Sequence, residues 1–177
     1  MAIPVLETER LLLRAHRVED FPACAAMWAD PLVTRFIGGV PSTGQQSWGR
    51  MLNYAGLWAL LGYGYWALQE KATGLFIGEL GFADFKRDLQ PPLDGPELGW
   101  ALASAAHGQG FATEAVRAAG AWGDERFEGG RTVCIIAPGN HASIRVAEKC
   151  GYREARRAAY KGEPTIVFSR AAGTARG

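Results

Sequence analysis

His107-Gly108-Gln109-Gly110-Phe111-Ala112-Thr113-Glu114-Ala115 is the stretch on which the reading of this chain turns. Just upstream, Glu97–Leu102 alternates, with Leu98, Trp100 and Leu102 on one face and Glu97, Gly99 and Ala101 on the other, which is the period of a strand. Downstream, Val116, Ala119, Gly120, Gly123 and Phe127 recur at helical spacing. A strand therefore feeds a glycine-rich turn that opens a helix. Amides at a helix start have no intrahelical partners, the helix dipole favours an anion there, and glycines let a bulky group approach the main chain. The turn thus predicts a phosphate site. It is not a Walker loop, since no Lys follows Gly110, and not a Rossmann fingerprint, since Thr113 stands where a third Gly or Ala belongs. Two glycines alone favour a plain strand-to-helix connection.

Working outward, Arg10–Ala15 reads as a first strand. Val18-Glu19-Asp20 opens a helix with Phe21, Ala25 and Trp28 on one side, ending before Asp30-Pro31. Ser42 or Thr43 caps a second helix to about Leu61. Tyr65–Glu70 and Leu75–Phe85 are strands joined by a turn. Gly129-Gly130 ends the helix that follows the glycine-rich turn, and Thr132–Ala137 is a buried β-branched strand. Pro138-Gly139-Asn140 turns into a helix closed by Gly151, and Tyr152–Ala155 and Thr165–Ser169 finish the sheet. The order is that of an α/β chain with an antiparallel-leaning first half. Its 177 residues suit one domain, residues 1–170, with a disordered tail at 171–177.

The composition, 48% hydrophobic and 21% charged, excludes a disordered chain. Nineteen basic against 18 acidic residues give no global sign of a nucleic-acid binder. Cys24, Cys134 and Cys150 form no C-x-x-C pair, so neither a zinc site nor a disulfide framework is expected, and free thiols in a reducing cytoplasm are. The N-terminus reaches Glu7 before any long apolar run, unlike a signal peptide. Met51–Gln69 carries no charge, but Gly62-Tyr63-Gly64 breaks its period, so a helix end and a strand are expected rather than a membrane span.

Three segments together resemble the GNAT superfamily of N-acetyltransferases: Glu97–Leu102, Gly108–Ala115 and Asn140–Tyr152. Thr8-Glu9-Arg10-Leu11 and Ile77-Gly78-Glu79-Leu80-Gly81-Phe82 place the resemblance closest to the ribosomal-protein alanine acetyltransferase (RimJ/RimL-like) branch. It covers about residues 7–170. The resemblance implies a mixed, mostly antiparallel sheet of about seven strands, splayed at a cofactor cleft and flanked by about four helices. It implies acetyl-CoA as co-substrate without a metal, and transfer to a primary amine, a protein N-terminus or a small molecule. An amine acceptor is the expected partner, with no nucleic acid and no membrane and a homodimer left open.

The resemblance also assigns residues. The pyrophosphate would rest on the amides of Gly108, Gln109, Gly110, Phe111, Ala112 and Thr113. The pantetheine would pair with the backbone of Trp100, Ala101 and Leu102. His107 stands where the superfamily favours Gln or Arg and reads as a turn residue. Asn140 either caps its helix or bonds the pantetheine region, and Ser143 would lie near the sulfur. The superfamily's frequent proton-donating Tyr, seven residues after that Asn, is Ala147 here; Ser143 is the substitute. An amine must lose a proton before attack, and Glu97 is the candidate base, with Glu79 as runner-up. Arg145, Lys149, Arg153, Arg156, Arg157 and Lys161 oppose only Glu148 and Glu154, a segment of net +4. Arg145 and Lys149, one helical turn apart, are either a solvated face or a grip on the 3′-phosphate of CoA. A catalytically weak acyl-CoA-binding sensor is the competing reading.

Overall fold

The computed structural model describes residues 2–173. The strands are β1 (Leu6–Glu7), β2 (Leu11–Arg14), β3 (Tyr65–Glu70), β4 (Phe76–Ala83), β5 (Glu97–Leu102), β6 (Thr132–Ile136), β7 (Arg153–Tyr160) and β8 (Glu163–Arg170). The helices are α1 (Phe21–Ala29), α2 (Pro31–Thr34), α3 (Gly44–Leu61), α4 (Phe111–Arg126) and α5 (His141–Lys149). The strands form one sheet in the order β1-β2-β3-β4-β5-β6-β8-β7, antiparallel throughout except where β5 meets β6.

One strand and one helix exceed expectation. β1 is two residues long, too short for any period to show. α2 is a single turn begun by Pro31 and capped by Asp30, whose carboxylate accepts from the Leu32 amide at 2.8 Å. β7 runs five residues past the expected Ala155, because an Arg-rich edge strand lacks the apolar signal that marks a buried one. Lys161 and Gly162, both at positive φ, close its hairpin with β8, as a two-residue turn of type I′ requires. Thr43 caps α3 in a reciprocal pair with Gln46, and Gly62 ends it at φ 71°. No helix among the described residues is long and apolar enough to cross a membrane. Of the expected tail, Gly173 still donates to Asp124, and residues 174–177 lie outside the described residues.

Apolar side chains pack on both faces of the sheet. Leu80, Phe82, Leu98 and Leu102 meet Phe111, Ala115, Val116 and Ala119 of α4. Small residues on α4 let it lie close: a Cβ at Gly123 would stand 2.8 Å from the Phe82 ring. Trp58, Trp66, Trp122, Phe82 and Phe127 pack mostly edge to face beside it. Trp58 and Trp66 are thus core residues. On the other face, Ala101 packs with Cys24, Met27 and Trp28 of α1 and Met51 of α3.

Candidate active site

The sheet splits where sequence and resemblance place the cofactor. β5 and β6 run parallel and pair only at Glu97 and Val133. Beyond that pair they part, and the β6-facing edge of β5 through Leu102 has no strand partner among the described residues. Because the two strands are parallel, the helices that follow them, α4 and α5, begin at the same edge of the sheet and flank the opening.

The turn into α4 carries Gly108 at φ 74° and Gly110 at φ 83°, a left-handed region open to glycine. Among the described residues no acceptor meets the amides of Gly108 to Thr113; the first helical bond is Glu114 N–H to the Gly110 carbonyl at 3.1 Å. Unpaired amides in a row need a partner, and a phosphate supplies one. The turn is braced from four sides. The Leu102 carbonyl accepts from His107 Nε2 at 2.9 Å, so His107 ties the turn to β5. Gln109 donates to Ala105 O at 2.7 Å. Arg10 donates to Gln109 O at 2.9 Å and lies 4.4 Å from the centre of the Phe111 ring. Glu114 accepts from the Arg10 amide at 2.8 Å, Arg10 Nε at 2.7 Å and the Thr8 hydroxyl at 2.6 Å. Burial alone would raise the Glu114 pKa, but these donors bring it below its ordinary value. Thr8, Arg10 and Glu114 as a brace are not legible from sequence, since about a hundred residues separate the partners.

On the other side of the opening, Asn140 Oδ1 accepts from Ser143 N–H at 3.2 Å, so Asn140 caps α5. The Ser143 hydroxyl has no partner among the described residues. A Cβ at Gly139 would stand 3.3 Å from the Phe36 ring, which brings the segment after α2 to this turn. Arg145 and Lys149 are exposed on α5. The unpaired amides, the unpartnered β5 edge and the two basic side chains fit a ligand that joins phosphates to an amide-bearing arm.

Neither candidate carboxylate touches the glycine-rich turn. Glu97 is buried at the closed end of β5, where Arg87 grips both oxygens at 2.5 and 2.8 Å. Burial draws the Arg87 guanidinium down, but Glu97 more than offsets it, so Arg87 stays charged. Both line a hollow of about 360 Å³ walled also by Tyr63, Phe85 and Leu93. Glu79 is fully buried on β4, opposite Ala101. It accepts from Tyr54 at 2.6 Å and Trp28 Nε1 at 2.9 Å, with His16 Nε2 at 3.4 Å and the Cys24 thiol at 3.6 Å. Burial first, and the Glu79 charge second, push the Cys24 thiol and the Tyr54 phenol up, so both stay protonated. All three cysteines are buried and free. Among the described residues no group of three or more His, Cys, Asp or Glu is placed to hold a metal.

Comparison with known proteins shows the family of the chain. Residues 10–153 match the model of the acetyltransferase (GNAT) domain. The Bacillus subtilis protein YkkB is 30% identical over 170 residues, 93% of this chain and 94% of its own. An acetyltransferase of Agrobacterium tumefaciens superposes with a TM-score of 0.81 at 32% identity, covering 96% of this chain and 95% of that one. The fold alone is shared with RimL, a ribosomal-protein alpha-N-acetyltransferase solved in complex with coenzyme A: TM-score 0.74, 16% identity, 95% and 98% coverage. The chain belongs to the GNAT family of acetyltransferases.

Proposed function

We propose that the protein is a cytoplasmic, RimJ/RimL-like N-acetyltransferase that moves an acetyl group from acetyl-CoA to a primary amine, a peptide N-terminus or a small molecule, within a ternary complex. The row of unpaired amides from Gly108 to Thr113, at the mouth of the opening between β5 and β6, carries this reading. Bound acetyl-CoA supplies a thioester carbonyl open to attack by an amine. The amides of Gly108–Thr113 hold the pyrophosphate, the β5 edge at Trp100, Ala101 and Leu102 pairs with the pantetheine, and Arg145 and Lys149 meet the 3′-phosphate. Asn140 orders the start of α5 so that Ser143 faces the sulfur. The leaving thiol has an ordinary pKa near 8.5, so a weak donor such as a serine hydroxyl suffices. Glu97 draws the proton from the incoming ammonium through water.

The pairing of Glu97 with Arg87, with Ala147 in place of a tyrosine, favours a second reading: a sensor that binds acyl-CoA and turns over poorly. Amine-dependent release of CoA thiol separates the two. With an alanine-initiated peptide and benzylamine as probes, the transferase releases thiol in proportion to the enzyme added. Tight CoA binding without release assigns the sensor.

A further inference from the structure

Tyr65 opens β3 and lies in register with Gly81 of β4 and Gly99 of β5. Both glycines make room for it. A Cβ at Gly81 would overlap the Gly64–Tyr65 backbone, and a Cβ at Gly99 would overlap the Tyr65 hydroxyl. The phenol therefore crosses the sheet from β3 and sets its oxygen over β5, between Glu97 and Ala101 on the same face. Gly99 lies two residues past the last β5–β6 pair, where the opening begins. The ring is fixed, stacked on Tyr54 with centres 4.2 Å apart and planes 1° from parallel. The residue is 7% exposed, yet its hydroxyl has no hydrogen-bond partner among the described residues.

Resting on the acetyltransferase reading, we propose that the Tyr65 hydroxyl is a catalytic group that receives the acceptor amine at the point of transfer. Before attack, the phenol oxygen takes the proton that the ammonium sheds and passes its own through water toward the Glu97 carboxylate, so Tyr65 ends neutral. Nitrogen then attacks the thioester carbon, the C–N bond forms and the C–S bond breaks, and the second proton that nitrogen loses as the amide forms passes by way of the Ser143 hydroxyl to the departing sulfur, so CoA leaves as the thiol. Burial, then the Glu97 charge, hold the phenol above its ordinary pKa, so it remains a donor; Arg87, Glu79 and Arg50 are the other charged groups acting on it.

Tyr65→Phe keeps the stacked ring and removes only the oxygen. Thiol release with benzylamine and the alanine-initiated peptide is expected to fall about 100-fold. The acidic limb of its pH–rate profile should move, while the unfolding temperature and its rise with CoA stay as in the wild type. The rise that benzylamine adds in the presence of CoA should be lost. Gly99→Ala should destabilise the wild type and be milder in the Tyr65→Phe background, which tests the placement of the hydroxyl without any turnover. An active wild type matched within twofold by Tyr65→Phe, with the same pH profile, overturns this proposal alone. A wild type that binds CoA but acetylates neither probe overturns the transferase reading and this proposal with it. A Tyr65→Phe variant that loses the CoA response marks a structural role only and also overturns it.

Discussion

Glu114 shows how one side chain on the first turn of α4 serves the site without touching a ligand. It holds Thr8 and Arg10 against the glycine-rich turn, and Arg10 in turn fixes the Gln109 carbonyl and covers Phe111. Its donors lower its pKa in the folded state, so it contributes stability above the unfolded value near 4.3 and loses it as pH falls through the folded value. Glu114→Gln should therefore be less stable than the wild type at neutral pH, and the gap should close in acid; urea titrations at stepped pH measure this. Arg10→Ala should weaken CoA binding several-fold with little effect on the amine KM. For Glu97→Gln, the rate should drop most at low pH, where free amine is scarce, and an unaltered pH–rate profile would remove Glu97 from the mechanism. The glycine-rich turn and the Asn140 cap on α5 are legible in the sequence because both rest on backbone conformation and local spacing. The Arg87–Glu97 pair is not: it joins a loop to a strand, and only the fold brings them together.

At the scale of elements, the α4–β5–β6 unit depends on how closely the helix sits on the sheet. Phe82 is fully buried against Gly123 and Phe127. Phe82→Ala should cost about 3–5 kcal/mol in urea unfolding, with the m-value unchanged. Gly110→Ala forces a left-handed residue with a side chain, a cost of about 1–2 kcal/mol, and should weaken CoA binding as the amides move. Strong period and turn signals made β5, α4, β6 and α5 readable from Glu97, Gly108, Gly110 and Asn140. What stayed hidden was β1, too short for a period, and the outer half of β7, where Arg156 and Arg157 give no apolar alternation. The packing partner of Trp58 and Trp66 was also hidden, because only the fold places Trp122 beside them.

Across the whole molecule, one topological fact produces the site. A single parallel pair in an otherwise antiparallel sheet sends α4 and α5 away from the same edge, and its early separation leaves a strand edge and six amides without partners among the described residues. The central claim is that a coenzyme A thioester fills that opening. Thermal unfolding with acetyl-CoA, CoA and ATP tests it most directly. At ligand about 100 times Kd, binding adds about 2.7 kcal/mol, which for a chain of this size raises Tm by roughly 5–10 °C. The rise should be seen with acetyl-CoA and with CoA and be absent with ATP. No rise at millimolar acetyl-CoA, or an equal rise with ATP, would contradict the claim.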